Sequence, residues 1–390
     1  MNFFGPKKQS TTKRSNRDVE KRQPVSFASW NVNSLGTVLE KSDTRGAFIT
    51  WLKKEAPDVM TLQEVKHAAA SDIRRFALSE TKDREHAKAQ AFKAFKSDIG
   101  TLLDGGKNGW DIWLTLAKGK GEAGQALLVK RDVEEPIRHY CFDHKAPGRE
   151  KAHEDGGRVI IASFKEVTVI STYVPNNGGK QESFDRRRAW DDLVRRYLRD
   201  LVVDEERHVI WMGDLNVCTD DFDVSGDADW WTQWVMGGGF KLLPEESGNR
   251  NQAGYTRNEM DRFRNILKVA KLVDPYRLKH PVASQPSKES TECMEGPYYT
   301  WRGSESGASR YKGQGMRIDY TLVSPGLVDR VVRADILGSG TRRDGFMGSD
   351  HCPIILELMR QPSPPFLSSA SSSSPIACGL MHDKKARVSP

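Results

Sequence analysis

The chain has 390 residues, 37% of them hydrophobic and 29% charged, which is enough apolar mass for one large domain or two ordinary ones. It has no apolar run near the roughly 18 residues that a membrane span needs, and residues 1–24 lack the apolar stretch of a secretory signal. We therefore expect a soluble intracellular protein without a membrane partner. The net charge is +7, but residues 1–24 contribute +5 and residues 361–390 contribute +2, so residues 25–360 are neutral. Polyanion binding by this body would need local patches or carboxylates neutralised by a metal.

The cysteines are odd in number, widely spaced and without a C-x-x-C pair. They are Cys141, Cys218, Cys293, Cys352 and Cys378. This pattern argues against a disulfide framework and against a structural zinc site, and it predicts reduced, buried thiols.

The chain divides into a body and two tails. Residues 1–24 are basic and polar, residues 361–390 are rich in Ser and Pro, and we predict that both tails are disordered. Residues 25–360 are predicted to form a single domain. Within it, residues 66–107 are charged and have the composition of a helical insertion.

Apolar runs along the body predict strands separated by helices. The predicted strands are VSFASWNV (25–32), DVMTLQEV (58–65), ALLVKRD (126–132), RVIIASF (158–164), VTVISTYV (167–174), HVIWMGDL (208–215), RIDYTLVS (317–324) and PIILEL (353–358). Residues 44–57 and 184–202 repeat apolar side chains at helical spacing. Strands 158–164 and 167–174 are two residues apart, which predicts a hairpin. Adjacent strands with alternating helices predict a mixed-sheet α/β body.

Polar side chains stand at the ends of six of these strands. They are Asn31 and Asn33, Glu64 after Gln63, Tyr173 and Asn176, Asp214 and Asn216, Asp319, and the pair Asp350-His351. Asn, Glu and Asp are poor strand residues, so each costs stability unless it finds a partner. One Asp-His pair alone is more often a hydrogen-bonded corner than a chemical group. Six such strand ends instead predict one shared polar site at a common sheet edge.

The chemistry of this set favours a hard cation. It is rich in oxygen donors, has one histidine and lacks thiolates, which suits Mg²⁺ or Mn²⁺. Such a site with an imidazole and a tyrosine hydroxyl is suited to phosphoester hydrolysis, in which a metal offsets phosphate charge while Asp and His handle protons.

Six motifs occur in a fixed order, namely SWNVNSL, LQEVK, YVPNNG, GDLNV, RIDY and GSDHCPI, with RVI and LVDPYR between them. Together, over about residues 25–360, they closely resemble the exonuclease III family of apurinic/apyrimidinic (AP) endonucleases, within the endonuclease/exonuclease/phosphatase superfamily. The resemblance implies a four-layer α/β sandwich, in which two packed mixed β-sheets are flanked by helices and the site lies at one edge.

The resemblance also implies roles for matching residues. The implied metal-site residues are Asn33, Glu64, Asp214, Asn216, Asp350 and His351, with Glu64 as the principal carboxylate. The implied catalytic residues are Tyr173, Asp214, Asn216, Asp319 and His351. The implied substrate contacts are Asn176, Trp301 and Met316, and Asn31 is the hydrogen-bonding neighbour of the metal group.

In this assignment Asp214 activates the attacking water, and a charged His351, oriented by Asp319, stabilises the phosphate. Tyr173 and Asn176 contact the phosphate. Two apolar side chains, Trp301 and Met316, line a pocket for a baseless sugar.

The activity that the resemblance implies is Mg²⁺-dependent hydrolysis, with Mn²⁺ able to substitute, of the phosphodiester 5′ to an abasic site in duplex DNA. This is a step of base excision repair, and 3′–5′ exonuclease or 3′-phosphodiesterase activity accompanies it in the family. We expect a monomer. The alternatives are another superfamily enzyme (a general DNase, an RNase or a phosphoinositide phosphatase) or a repair or transcription scaffold whose catalysis is dispensable.

Three departures from the family pattern concern DNA docking and leave the hydrolytic residues intact. Gly36 stands where an arginine is common, Glu122-Ala123-Gly124 replaces the region of a usual tyrosine, and the loop after YVPN lacks the arginine that some relatives insert into DNA. The balance of endonuclease to exonuclease activity therefore stays open.

The basic N-terminal residues, the arginines of one helix and a group of tryptophans each allow two interpretations. The pairs Lys7-Lys8 and Lys21-Arg22 resemble a two-part nuclear import signal, with the mitochondrion as the alternative location, and residues 1–4 faintly resemble the end of a sliding-clamp-binding peptide. Five arginines of the helix 184–199 are predicted either to be solvated or to contact phosphate. They are Arg186, Arg187, Arg188, Arg195 and Arg196. A tryptophan group (Trp230, Trp231 and Trp234) is expected to pack in the core or at an edge, with an aromatic base-stacking site as the alternative.

Overall fold

Two β-sheets packed face to face form the centre of the molecule. The computed structural model describes residues 21–66, 109–117, 122–154, 156–178, 181–225, 231, 252–281, 299–303, 314–339 and 343–361. The described residues from 21 to 359 form one compact unit, and of the second unit, Arg360–Pro390, only the first two residues are described. Residues 1–20, nearly all of the predicted insertion 66–107 and residues 362–390 lie outside the described residues. No helix in the described ranges is long and apolar enough to span a bilayer.

The strands, in chain order, are β1 Ser26–Asn31, β2 Val59–Gln63, β3 Trp110–Thr115, β4 Gln125–Lys130, β5 Ile137–His139, β6 Val159–Ser163, β7 Thr168–Tyr173, β8 Val209–Asp214, β9 Trp301–Arg302, β10 Gly315–Met316, β11 Asp319–Val323, β12 Val331–Ile336 and β13 Ile354–Leu358. The helices are α1 Leu35–Glu40, α2 Ser42–Glu55, α3 Gln181–Arg199, α4 Arg257–Val269 and α5 Pro275–Lys279. A π-turn over Asp200–Asp204 extends α3, and 3₁₀ turns cover Asp221–Asp223 and Pro325–Arg330.

One sheet has six strands in the order β12-β13-β1-β2-β4-β3, the other has five in the order β11-β8-β7-β6-β5, and β9 and β10 form a separate ribbon. In each large sheet one pair is parallel, β1 with β2 and β7 with β8, and the other pairs are antiparallel. The prediction of mixed sheets is therefore confirmed. The predicted hairpin 158–164/167–174 is formed by β6 and β7.

Three apolar clusters define four layers. Phe48 and Leu52 of α2 pack with Trp30 on the outer face of the six-stranded sheet. Between the sheets, Phe27 of β1 and Ile210 of β8 belong to one cluster. A third cluster covers the outer face of the five-stranded sheet with side chains of α3 and α4, including Trp190, Leu198, Met260 and Phe263. Amphipathic helices bury one face and sheets bury both, so this order confirms the predicted four-layer α/β sandwich.

The alternation of side chains along each strand decides which residues face the other sheet. In β1, Phe27 lies in the inter-sheet cluster while Trp30 lies in the outer one, so Ser29 and Asn31 point inward with Phe27. The same parity puts the last residue of β2, β7 and β8, and the first residue of β11, on the inner face. These residues are Gln63, Tyr173, Asp214 and Asp319. The space between the sheets therefore becomes polar toward one edge.

The folded body includes part of the predicted N-terminal tail. Arg22 donates to Asp58 at 2.6 and 2.7 Å and to Asp132 at 2.7 Å. These two carboxylates hold Arg22 against the turns before β2 and after β4. The folded body therefore begins at or before residue 22, earlier than the predicted boundary at residue 25. Arg22 is thus engaged in the body and not part of a free basic pair.

Candidate active site

Several turn residues at the sheet edge have left-handed backbone conformations. The φ angles of Asn33, Glu64 and Asn216 are 42°, 50° and 50°. This region costs non-glycine residues energy and is tolerated mainly where the surrounding structure fixes it, often at functional sites. The turns end their strands and place polar side chains beside one another.

An amide joins the two sheets at this edge. Asn31 Nδ2 donates to Glu64 Oε1 at 2.9 Å and to Asp214 Oδ2 at 2.8 Å. Because Asn31 ends β1, Glu64 follows β2 and Asp214 ends β8, this amide bridges the six-stranded and five-stranded sheets. Asn31 thus holds two carboxylates within reach of a common ligand.

His351 is buried and faces two carboxylates. Its Nδ1 lies 2.8 Å from Asp319 Oδ2, and its Nε2 lies 3.8 Å from Asp214 Oδ2. Burial alone would lower the pKa of His351, but the negative charges of Asp319 and Asp214 outweigh it and raise the pKa to about 10. The imidazole is therefore held in its charged form, as its pairing with Asp319 predicts.

Asp214, unlike His351, is buried among groups of its own charge. It is buried beside the carboxylates of Asp319 and Glu64, and burial together with these like charges raises its pKa to about 8, although His351 and Asn31 favour the ionised form. Its Oδ1 accepts the backbone N–H of Asn216 at 2.9 Å. A carboxylate with a pKa near neutrality is well matched to proton transfer.

Glu64 and Tyr173 complete the charged side of the site. Burial would raise the pKa of Glu64, but the Lys66 ammonium, 2.5 Å from Oε2, and Asn31 hold it below its usual range. Burial and the charges of Glu64 and Asp214 raise the pKa of Tyr173 far above that of free tyrosine. Glu64 is thus ionised and Tyr173 is a neutral hydroxyl donor.

The ring of Tyr173 is fixed from outside the site. The Arg158 guanidinium lies 4.5 Å from the centre of the Tyr173 ring, and its Nη1 donates to the Tyr173 carbonyl at 3.1 Å. The arginine of the RVI segment therefore holds both the ring and the backbone of this residue.

A pocket of about 230 Å³ opens between these groups and an apolar wall. Its polar lining residues are Glu64, Tyr173, Asn176, Asp214, Asn216, Gln252, Asp350 and His351. Its other lining residues, which form the apolar wall, are Ala253, Gly254, Trp301, Met316 and Ile318. The pocket thus brings together nine of the twelve residues of the predicted site. The other three, Asn31, Asn33 and Asp319, lie outside its lining, but Asn31 and Asp319 are hydrogen-bonded to residues that line it.

Asp350 contacts the apolar wall and the rim. One oxygen accepts the indole N–H of Trp301 at 3.0 Å, and the other accepts Asn33 Nδ2 at 2.9 Å. Asn33 Oδ1 in turn accepts Lys66 Nζ at 2.6 Å. Both oxygens of Asp350 are therefore engaged in orienting neighbours, and Asn33 lies at the rim.

The predicted phosphate contacts are neighbours. Asn176 Nδ2 donates to Asn216 Oδ1 at 3.1 Å, and Asn216 Nδ2 donates to the Val174 carbonyl at 2.9 Å. These bonds join the turns after β7 and β8, so the two amides form one unit beside Asp214.

The donors that could hold a cation are close together. One ligand atom each from Glu64, Asp214 and His351 lie within 4.8 Å of one another. Carboxylate oxygens suit Mg²⁺ or Mn²⁺, and the two carboxylates fit such an ion. A charged imidazole has no free lone pair, so we expect His351 to face the anion instead of the metal.

Sequence reasoning missed the Gln252–Gly254 wall, which had no signal in the pattern of strands and helices. It also misjudged Arg187, which is buried at 1% exposure and is neither solvated nor at the surface. The signal was present, because Arg187 lies at helical spacing from the apolar residues Val194 and Leu198. The packing prediction is confirmed for Trp231, which is buried and donates to the Ser225 carbonyl; the other two tryptophans lie outside the described residues.

Comparison with known proteins gives consistent results. Residues 28–351 match the profile of the Endonuclease/Exonuclease/phosphatase family. The chain is 33% identical over 353 residues to a DNA-(apurinic or apyrimidinic site) endonuclease of Arabidopsis thaliana, covering 89% of this chain and 88% of that protein. It is 28% identical over 332 residues to an exodeoxyribonuclease of Bacillus subtilis, covering 85% and 98%.

Solved structures show the same fold. An AP endonuclease from Leishmania major superposes with a TM-score of 0.59 at 22% identity, covering 87% of this chain and 89% of that one. A 3′ phosphatase from Neisseria superposes with a TM-score of 0.55 at 21% identity, covering 86% and 99%.

Proposed function

Because the chain belongs to the Endonuclease/Exonuclease/phosphatase family, among the AP endonucleases of the exonuclease III type, we propose that it is a Mg²⁺-dependent DNA repair nuclease that hydrolyses the phosphodiester 5′ to an abasic site in duplex DNA. The convergence of Glu64, Asp214 and His351 beside a small pocket with an apolar wall is the observation that carries this proposal.

The residues divide the work of hydrolysis. Asp214, whose pKa is about 8, takes a proton from the water that attacks phosphorus. The bond from phosphorus to the 3′ oxygen breaks, and that oxygen leaves as a 3′ hydroxyl after gaining a proton. The charged His351 and the neutral hydroxyl of Tyr173 stabilise the negative charge on the phosphoryl oxygens.

The amides of Asn176 and Asn216 hold the phosphate in place. A cation bound by Glu64 and Asp214 would offset phosphate charge and stabilise the leaving oxygen. Mn²⁺ would serve in the same way, since it accepts the same oxygen ligands.

The apolar wall supports selection of an abasic sugar. Trp301 and Met316 line the same pocket of about 230 Å³ as the charged groups. A deoxyribose without its base is small and largely apolar on its ring faces, whereas a sugar with its base needs room for an additional aromatic ring. The Asp350–Trp301 hydrogen bond fixes the indole and therefore the width of this pocket.

The direct test compares cleavage of four substrates in Mg²⁺: a duplex with one abasic site, the intact duplex, RNA and a phosphoinositide. We expect selective nicking of the abasic duplex, with a 3′ hydroxyl on the new end. Equal or greater activity on any of the other three would refute the proposal and favour a different enzyme of the superfamily.

A scaffold role is separated from catalysis with Glu64→Gln and His351→Asn. The proposal predicts that both variants bind abasic DNA, fail to incise it and fail to complement a repair-deficient cell. Complementation by either variant would show that the protein acts without catalysis.

A 3′–5′ exonuclease or 3′-phosphodiesterase activity is a second candidate at the same centre. The match to an exodeoxyribonuclease over nearly all of that relative's length supports it. Release of nucleotides or of a 3′-phosphoglycolate from recessed duplex ends, lost in Glu64→Gln together with incision, would establish it.

We also propose a nuclear location, on the basic pattern of residues 1–20 and the proposed DNA substrate. Since Arg22 pairs with Asp58 in the body, removal of residues 1–20 leaves the described structure intact. A fluorescent fusion of the truncated chain should lose nuclear accumulation; unchanged accumulation, or mitochondrial targeting of the full chain, would reject this location.

A further inference from the structure

Arg187 of α3 lies in the core beneath the candidate active site. Its Nη1 donates to the carbonyls of Pro175 at 3.2 Å and Asn216 at 3.0 Å, and its Nη2 donates to the carbonyl of Leu215 at 3.1 Å. One side chain therefore binds three backbone carbonyls from two separate turns.

These carbonyls belong to the turns that hold the polar amides of the site. Pro175 directly precedes Asn176, while Leu215 and Asn216 directly follow Asp214. The turns leave β7 and β8 where the parallel ladder between those strands stops, so carbonyls buried there need donors from elsewhere. Arg187 supplies them.

The guanidinium is compensated inside the protein. Its Nε donates to Asp191 at 2.8 Å, and Nη1 lies 3.7 Å from Glu259, a residue with no exposed surface. Asp191 also accepts Arg262 Nε at 2.8 Å. Burying a charge is costly unless it is paired and hydrogen-bonded, and Arg187 meets that condition through its ion pair with Asp191 and its hydrogen bonds to three carbonyls.

The side chains around Arg187 also contact a third turn, at Gly254 in the pocket wall. Glu259 accepts the backbone N–H of Gly254 at 3.0 Å, and Gly254 belongs to the pocket wall. The turns after β7 and β8 and the wall at Gly254 are thus held by one cluster of ionisable side chains, consisting of the buried Arg187, Asp191 and Glu259 and the half-buried Arg262.

We propose that Arg187 is a positioning residue, which fixes the turns bearing Asn176 and Asn216 in the geometry needed to hold the scissile phosphate. This inference rests on the proposed function for the identity of the phosphate, whereas the hydrogen bonds to the turns stand independently of it. A planar group with five donors can bind Asp191 and three carbonyls together, and a lysine ammonium with three donors cannot.

The test compares Arg187→Lys with Leu198→Ala. Leu198 lies three turns along the same helix and is completely buried, and its apolar side chain can form no hydrogen bond, so its truncation loosens core packing without removing a hydrogen bond from either turn. Both variants are assayed at a temperature where both remain folded, and their Tm values are measured. If the two Tm values differ, added glycerol is used to raise the Tm of the less stable variant to that of the other.

We expect Arg187→Lys to lower kcat by about 10²-fold with a much smaller change in KM, because small displacements of groups that position a substrate cost about that much. Leu198→Ala should retain kcat within about twofold per folded molecule. Equal losses of kcat in the two variants at matched stability would overturn the proposal and leave Arg187 with a purely structural role.

A measurement without substrate separates this inference from the proposed function. Hydrogen exchange of peptides covering residues 173–178 and 213–218 should accelerate in Arg187→Lys and stay at the wild-type rate in Leu198→Ala. Unchanged exchange in Arg187→Lys would overturn the inference even if abasic DNA is the substrate. If abasic DNA is not cleaved, the kinetic comparison uses whichever nucleic acid the wild-type protein hydrolyses.

Asp191→Asn provides a second variant should Arg187→Lys fail to fold. It keeps an oxygen acceptor for Nε but removes the charge that anchors the guanidinium. We expect the same pattern of reduced kcat and faster exchange in the two turns, with a smaller amplitude. A wild-type kcat and wild-type exchange in this variant would count against the proposal.

Discussion

Two aspartates nine residues apart, Asp214 and Asp223, are both buried, at 1% and 0% exposure, yet their surroundings have opposite effects. Asp214 faces two other carboxylates, and burial with these like charges raises its pKa to about 8. Burial would also raise the pKa of Asp223, but Arg317 and Arg277 overcome it and hold the pKa far below its ordinary value of 3.8.

The contacts explain the difference. Arg317 Nε donates to Asp223 at 2.7 Å, Arg277 donates to the same oxygen, and the backbone N–H of Thr219 donates to the other oxygen at 2.7 Å. Arg317 also pairs with Asp274 at 2.7 Å. Burial alone therefore does not distinguish a functional carboxylate from a structural one. The balance of neighbouring charge does, since a site that must bind a cation keeps its negative charge uncompensated.

Asp214→Asn should have the largest effect on activity. The amide keeps the shape but cannot take a proton, so we expect kcat to fall by roughly 10²–10⁴-fold. Removing a carboxylate that is repelled by its neighbours should leave Tm unchanged or slightly raised. Single-turnover incision with thermal unfolding checks both; retention of most of the wild-type rate would contradict the assignment of Asp214.

Asp223→Asn should reduce stability strongly and activity only slightly, the reverse of Asp214→Asn. Loss of the carboxylate leaves Arg317 buried beside a neutral group, which costs about 3–5 kcal/mol of unfolding free energy. The incision rate of the folded protein should change far less than in Asp214→Asn. Urea unfolding measures the loss of unfolding free energy. A variant as stable as the wild type would show that this cluster is not a structural pair.

Mg²⁺ affinity should depend on pH through Asp214. Below about pH 8 this carboxyl holds a proton that must leave before it can bind the ion, so the Kd should increase as pH falls from 8 to 6, by up to about tenfold per pH unit. Calorimetry in buffers of different ionisation enthalpy would detect the released proton. Asp214→Asn is the control, because it should bind weakly with little pH dependence; an equally steep dependence in that variant would assign the proton to another group.

The smallest predicted effect is the loss of the Asp223 contribution to stability at acidic pH. The folded pKa of Asp223 is depressed, so its contribution to stability is complete above the ordinary pKa of 3.8 and is lost as pH falls below it. The difference in unfolding free energy between the wild type and Asp223→Asn should be constant above about pH 5 and shrink by at most about 1.4 kcal/mol per pH unit below about pH 4. Urea midpoints at a series of pH values provide the measurement, and a constant difference down to pH 2 would be contrary to expectation.

Much of the fold was predictable because its strands are apolar runs bounded by polar turns. All eight predicted strands overlap observed ones, and β6 with β7 forms the expected hairpin. The strands that the sequence did not predict include β3, with Trp110 and Asp111 at its start, and β12, whose exposed Val332 and half-buried Arg333 interrupt any clear pattern. Both strands lie at an edge of the six-stranded sheet, where one side is free and selection for apolar side chains is weaker.

The candidate site was predictable to the extent that polar residues at strand ends are costly without partners. That argument, and the family resemblance, selected Glu64, Asp214 and His351, which the structure brings within 4.8 Å. Neither the spacing nor the resemblance predicted that Asp350 would orient Trp301 and Asn33, or that Arg187 would bind backbone carbonyls. Such contacts depend on helices and turns far apart in the chain.

The sequence by itself determined the layered α/β architecture, the parity that turns Asn31, Tyr173 and Asp214 inward, and the set of oxygen donors at one edge. Only the tertiary structure decided their ionisation, because charge depends on neighbours brought together from different strands. Asp214 and Asp223 have the same side chain and nearly the same burial; the carboxylates across the sheet edge raise the pKa of one, and two arginines from distant segments lower that of the other.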